Sequence, residues 1–146
     1  MSTILVLLWL QVQAAGGLGP VPELIVEADG RSWGAFEALA RGEDGSATVT
    51  LADGWLDPGF VALWWPEAGA GDGTLAPGRH DFDAADCRGL RVDVRPAPDR
   101  RRLSLMRSWT LLGACVVAVE VAGPLESGRL PVKSLTFRVE DVGAAM

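Results

Sequence analysis

Short apolar runs, broken by glycine, proline and acidic turn residues, dominate this chain. The stretch Glu23 to Ala28 (ELIVEA) reads as a strand, and the Asp29-Gly30 pair behind it is a tight-turn signal. Ser32 to Leu39 (SWGAFEAL) is a second extended piece, so the two predict a hairpin. Arg41 to Ser46 is polar and carries Gly45, which predicts a loop. Ala47 to Leu51 (ATVTL) and Leu90 to Val94 (LRVDV) alternate with β-branched residues and predict strands. Glu67 to Arg79 reads as loop, His80-Asp81-Phe82 as the start of a strand or turn, and Pro96 to Asp99 as a turn.

The last third of the chain, Arg101 to Gly143, predicts three strands. Leu103 to Leu112 carries Trp109, Ala114 to Val121 follows, and a Gly123-Pro124 break with a polar turn leads into Val132 to Val139. In the middle strand Val117, Val119 and Val121 alternate with Val116, Ala118 and Glu120. Both faces are apolar up to Glu120, which predicts a strand covered on both sides.

One segment reads as helix. Asp57 is placed to cap the first free amides, and Pro58 stands where its missing N–H costs nothing. Phe60, Leu63 and Trp64 fall on one face of a helix from Pro58 to about Trp65, and Pro66 ends it. On such a helix Trp64 and Trp65 point in different directions, one into the core and the other toward an interface or over the sheet as a lid.

At 146 residues and 49% apolar content, one domain with a substantial core is expected. Eighteen glycines and nine prolines suit short strands better than long helices. The expected fold is therefore mainly β (α+β): an antiparallel β-sandwich or barrel with one short packed helix. Residues 1–22 form an apolar N-terminal segment and glycine-rich loop, and residues 23–146 the β domain.

Thr3 to Leu10 (TILVLLWL) is too short to span a bilayer. It resembles the apolar centre of a signal peptide, with Val12-Gln13-Ala14 as a small-residue cleavage site, but no Lys or Arg precedes it. A buried or intersubunit strand is the competing reading, and the missing charge favours it. Cys87 and Cys115 lie in no metal-ligand motif; they read as two reduced, partly buried cysteines, with a disulfide as the alternative.

The formal charge of −6 argues against a nucleic-acid surface. Arg100-Arg101-Arg102, with Arg95 and Arg107 near, reads as a solvated turn. Chemistry has little to work with: one histidine, one lysine and no tyrosine. His80 stands beside Asp81 and Asp83, but adjacency does not make a triad, and no GxSxG elbow occurs. The acidic run Asp81 to Asp86 lacks the EF-hand glycine and terminal glutamate, and Gly69, Gly71 and Gly73 are not framed by strand and helix as a phosphate cradle. No catalytic residue, cofactor or metal is expected.

Read in order, the segments ELIVEADG, SWGAFEALA, ATVTLADG, LDPGFVALWW, LRVDVRPAPDRR, WTLLGAC and VKSLTFRVEDV resemble the tail tube proteins of contractile phages and contractile injection systems. The landmarks are Trp109, Ala114, Gly123, Pro124, Leu125 and Leu135 to Glu140, and the likeness spans Glu23 to Val142. It implies a structural subunit, assembled in the bacterial cytoplasm, whose strands complete a larger closed barrel in stacked hexameric rings. Its partners would be itself and neighbouring tube, sheath or baseplate proteins, with no nucleic acid bound and no membrane spanned. Trp64, Trp109, Gly123 and Pro124 would shape the subunit. The strands Leu24–Ala28 and Ala114–Val121, with Val117 and Val119, and the loop bearing Arg41 and Gly45 would make ring contacts. The family's long loop is replaced here by Arg41 to Ser46, and the apolar segment Met1 to Gln13 is unusual for the family; together they point to a minor tube protein, such as an initiating or terminating ring, or to a divergent relative. Two rivals stand beside this reading: a secreted β-sandwich binding module with a cleaved N-terminal signal, and a small enzyme using His80 and Asp81.

Overall fold

The Asp29-Gly30 turn sets the fold in motion. Both residues have positive φ, 55° and 75°, the combination that matches a two-residue hairpin loop to the twist of its strands. The computed structural model describes residues 24–42, 47–66, 75–85, 87–97 and 108–145. Met1 to Gln13, the glycine-rich loop behind it, Gly45, Gly69, Gly71, Gly73, Asp86, Arg100 to Arg102, Leu103 and Arg107 lie outside the described residues.

Eight strands follow in chain order: β1 (Leu24–Ala28), β2 (Arg31–Arg41), β3 (Thr48–Leu56), β4 (Gly78–Asp81), β5 (Leu90–Pro96), β6 (Ser108–Val121), β7 (Leu130–Arg138) and β8 (Asp141–Ala145). Six of them close a barrel in the order β1-β2-β3-β7-β6-β5, with β5 back on β1 and every pair antiparallel. The expected mainly-β antiparallel barrel is thus what the chain forms. Its closure is achieved within one chain, by two three-stranded meanders joined through β1–β5 and β3–β7. β4 and β8 lie outside the ring of six, each paired only to β6.

Two expectations change. First, the strand carrying Trp109 and the strand from Ala114 to Val121 are one continuous β6 of 14 residues. Gly113, at the expected break, bends it and does not end it. Its φ is +63°, and a Cβ there would stand 2.5 Å from Cγ of Glu140. Second, the helix from Pro58 to Trp65 reduces to a turn and one stretch of 3-10 helix, Val61–Leu63. Asp57 does cap, but it caps a turn: Gly59 N–H donates to Asp57 Oδ1 at 2.8 Å. So short a segment nucleates a helix poorly, and its tryptophans are bound to β6 instead.

Phe60, Phe36, Phe137, Leu51, Leu56, Leu111, Leu130 and Leu135 fill the barrel. Phe60 enters from the 57–66 turn and meets Trp33, Trp64 and Phe137 with ring centroids 5.7, 5.0 and 6.2 Å away. The buried positions do not keep one parity. On β3 they pass from Val49 and Leu51 to Leu56 across Asp53, whose φ is 58°. On β7 they pass from Val132 to Leu135, and the β6–β7 register slips between Val116 and Ala118. Such slips tighten the twist and let a short barrel close.

Cys87 and Cys115 form a disulfide, with Cα atoms 6.3 Å apart. This corrects the expectation of two reduced thiols. No spacing rule could have found it, because the β5–β6 pairing of Leu90 with Ala114 is what brings positions 28 apart together. Closing a loop of that length restricts the unfolded chain by about 3–4 kcal/mol. The Cys87→Ser, Cys115→Ser double variant should lose stability of that order in urea titration. A loss below about 1 kcal/mol would show that the crosslink does far less than loop-closure entropy alone requires.

Candidate assembly interface on the flanks of strand β6

β6 has two edges, and the backbone groups of its fourteen residues are divided between them. One edge carries β8 along residues 108–112 and then β7 along residues 115–121. The other carries β5 along residues 109–114 and then β4 along residues 118–121. Between β5 and β4 no strand among the described residues reaches β6, and two indoles and one main-chain amide fill that gap. Trp64 Nε1–H donates to Ala114 O at 2.8 Å, and Trp65 Nε1–H donates to Val116 O at 2.8 Å. Phe82 N–H donates to Val117 O at 2.9 Å.

The tryptophan pair therefore works as a clasp on one strand. Trp64 is buried against Phe60 and Phe137, while half-buried Trp65 stacks on Phe82 at 5.5 Å and 7°. Both indoles turn toward β6, where a helix would have sent them apart. Trp64 is core, as expected, and Trp65 lies half-buried between Phe82 and the β6 backbone.

The remaining sequence-derived positions scatter. Trp109 is half-buried on β6, paired with Val94 and Ala144. Val119 is wholly buried and Val117 half-buried, so Val119 is core and offers nothing to a neighbour. β1 is paired along both edges, and so is the 118–121 part of β6; neither can accept a strand from another copy. Gly123 and Pro124 belong to the β6–β7 connection, which ends in a second two-residue turn with Ser127 and Gly128 at φ 51° and 78°. Arg41 is exposed at the end of β2, opposite Val49.

What the sequence missed are the two open edges. Among the described residues, β4 and β8 each have one edge without a strand. β4 is guarded by charge: Arg79 Nε lies 2.9 Å from Asp81 Oδ1, with both side chains more than half exposed. β8 carries only Asp141, ahead of Val142, Gly143 and two alanines. Only Val139 and Glu140 separate it from β7, and the expected closing strand, Val132 to Val139, stopped short of it.

The outer face around β1 and β5 is polar and mutually paired. Arg95 Nη2 lies 2.6 Å from Glu27 Oε2, and Thr110 Oγ1–H donates to Asp93 at 3.1 Å. The Arg95 hydrogen bond holds the Glu27 carboxyl below its ordinary pKa, against a smaller opposing effect of burial. Over β2 and β3 an open depression of about 290 Å³ is lined by Glu37, Asp53 and Trp55, with the Arg129 guanidinium 4.1 Å above the Trp55 ring. His80 and Asp81 have separate partners: the imidazole Nε2 faces Ala76 O at 2.7 Å, while Asp81 is held by Arg79. Among the described residues no cluster of His, Cys, Asp and Glu is arranged to hold a metal ion, and no helix is long and apolar enough to cross a membrane.

No protein-family model matches the chain, and neither the curated proteins nor the solved structures contain a significant match to it.

Two outcomes test this description. Trp64→Phe keeps an aromatic ring and strands the Ala114 carbonyl, so it should cost about 1–3 kcal/mol in chemical denaturation. Because Glu27 has a lower pKa folded than unfolded, its contribution is full above the ordinary carboxylate range and is lost as pH falls through the folded value. The acid limb of a stability–pH curve should therefore flatten in Glu27→Gln; an unchanged limb refutes the role of this pair.

Proposed function

We propose that this chain is a structural, self-associating β-barrel subunit of the inner tube of a contractile phage tail or related injection system. The observation that carries the reading is the pair of open strand edges on opposite flanks of β6. Two unlike edges on one molecule permit head-to-tail contacts, the kind that propagate into rings or helical strands around an axis. The separate commitments of His80 and Asp81 favour work by association over acid–base chemistry. The partners would be further copies of the chain and adjoining tube, sheath or baseplate proteins, with assembly in the bacterial cytoplasm.

One observation favours a second reading. The Cys87–Cys115 disulfide suits an oxidising compartment, and with the apolar run Thr3 to Leu10 it supports a secreted β-barrel binding module.

Negative-stain imaging with intact-mass measurement separates the two. Six-fold rings or rods are expected under the first reading. Monodisperse monomers that retain the disulfide and have lost about fourteen N-terminal residues, the length of a short signal, would replace it with the second.

A further inference from the structure

We infer that copies of this chain join by laying β8 of one molecule parallel to β4 of the next, an inference that rests on the assembly reading above. β4 and β8 both run antiparallel to β6, so they run in the same direction as each other. Copies stacked with β6 pointing the same way therefore bring β8 and the neighbour's β4 together as parallel strands. Their lengths match, at five and four residues.

Charge supports that pairing. β4 presents Arg79, and β8 begins at Asp141. Aligned from their first residues, the two strands set Asp141 beside Gly78 and diagonal to Arg79, and Gly143 beside His80. The Arg79–Asp81 contact is exposed, with side chains 60% and 65% accessible, so Arg79 can turn to a new partner. One Asp141 oxygen accepts from Val142 N–H at 2.9 Å, which leaves the other for the neighbour. A twofold contact between two β8 edges would bring no opposite charge to Asp141 from within the strand.

The two edges also sit at different heights. β8 is centred at Thr110 of β6, and β4 lies between Gly78↔Val121 and Asp81↔Ala118. That offset is about nine residues, or roughly 30 Å along the strand. Each contact thus steps the next barrel along the strand direction, so copies wind into the rods of the assembly reading, and flat six-fold rings would overturn this edge pairing while leaving that reading standing.

Cysteine crosslinking of the full chain tests this. A Gly143→Cys chain mixed with a His80→Cys chain should give a disulfide-linked dimer on a non-reducing gel, while neither alone should. Gly143 accepts a side chain without crowding, since a Cβ there meets nothing within 4 Å. Asp141→Arg should cut the yield several-fold, and combining it with Arg79→Asp in the partner chain should restore it. Crosslinking of Gly143→Cys with itself would overturn the inference in favour of a twofold dimer. Assembly by light scattering without any crosslink would overturn the edge pairing and leave the assembly reading standing. Monomers at every concentration would overturn both.

Discussion

The architecture depends on the partners that the backbone of β6 finds along its fourteen residues. This strand runs from the Trp109 end of the barrel to the β6–β7 connection, and four other strands divide its two edges among them. Where the division leaves a gap, two indole N–H groups and one amide close it. A buried carbonyl without a donor costs as much as a lost hydrogen bond or more, so the Trp64-Trp65 pair is as much a part of the sheet as a strand would be. The 57–66 segment is thereby fixed in place, and Phe60 with it, at the centre of the aromatic cluster.

The middle of β6 is constrained from several directions at once. Gly113 takes a left-handed conformation, Glu140 packs where its side chain would be, and Gly89 approaches so closely that a Cβ on it would lie 2.6 Å from Gly113 Cα. The disulfide at Cys115 ties the β4–β5 connection to the same place. Strand β6 can therefore exchange one set of neighbours for another at this point: β8 gives way to β7 on one edge, β5 to the clasp and β4 on the other. The barrel closes because of that exchange, and the same exchange leaves the outer edges of β4 and β8 without a strand among the described residues, which is where the proposed association would occur.

A barrel closed within one chain changes how assembly is to be understood. Among the described residues the subunit does not need neighbours to bury its core; Phe36, Phe60, Phe137 and the leucines around them are already out of water. Association would extend a finished sheet by two short edges. That makes it tunable by few residues, with Arg79, Asp81 and Asp141 the charged ones at the edges.

The sequence alone determined the strands whose alternation is local and the turns whose chemistry is local. Asp29-Gly30 made the first hairpin, and the alternation of ATVTL and LRVDV placed β3 and β5, because strand period and turn conformation act over a few residues. The two-sided burial of β6 was legible too, through the unbroken apolar run before Glu120. Tertiary structure decided the rest. Gly113 was a bend and not an end, since Glu140 and Gly89 fill the space around it. The 57–66 segment gave up its helical pattern, since carbonyls of β6, some fifty positions away, needed its indoles. Cys87 met Cys115, and β4 and β8 kept open edges, because strand pairing is a long-range choice that short-range patterns do not encode.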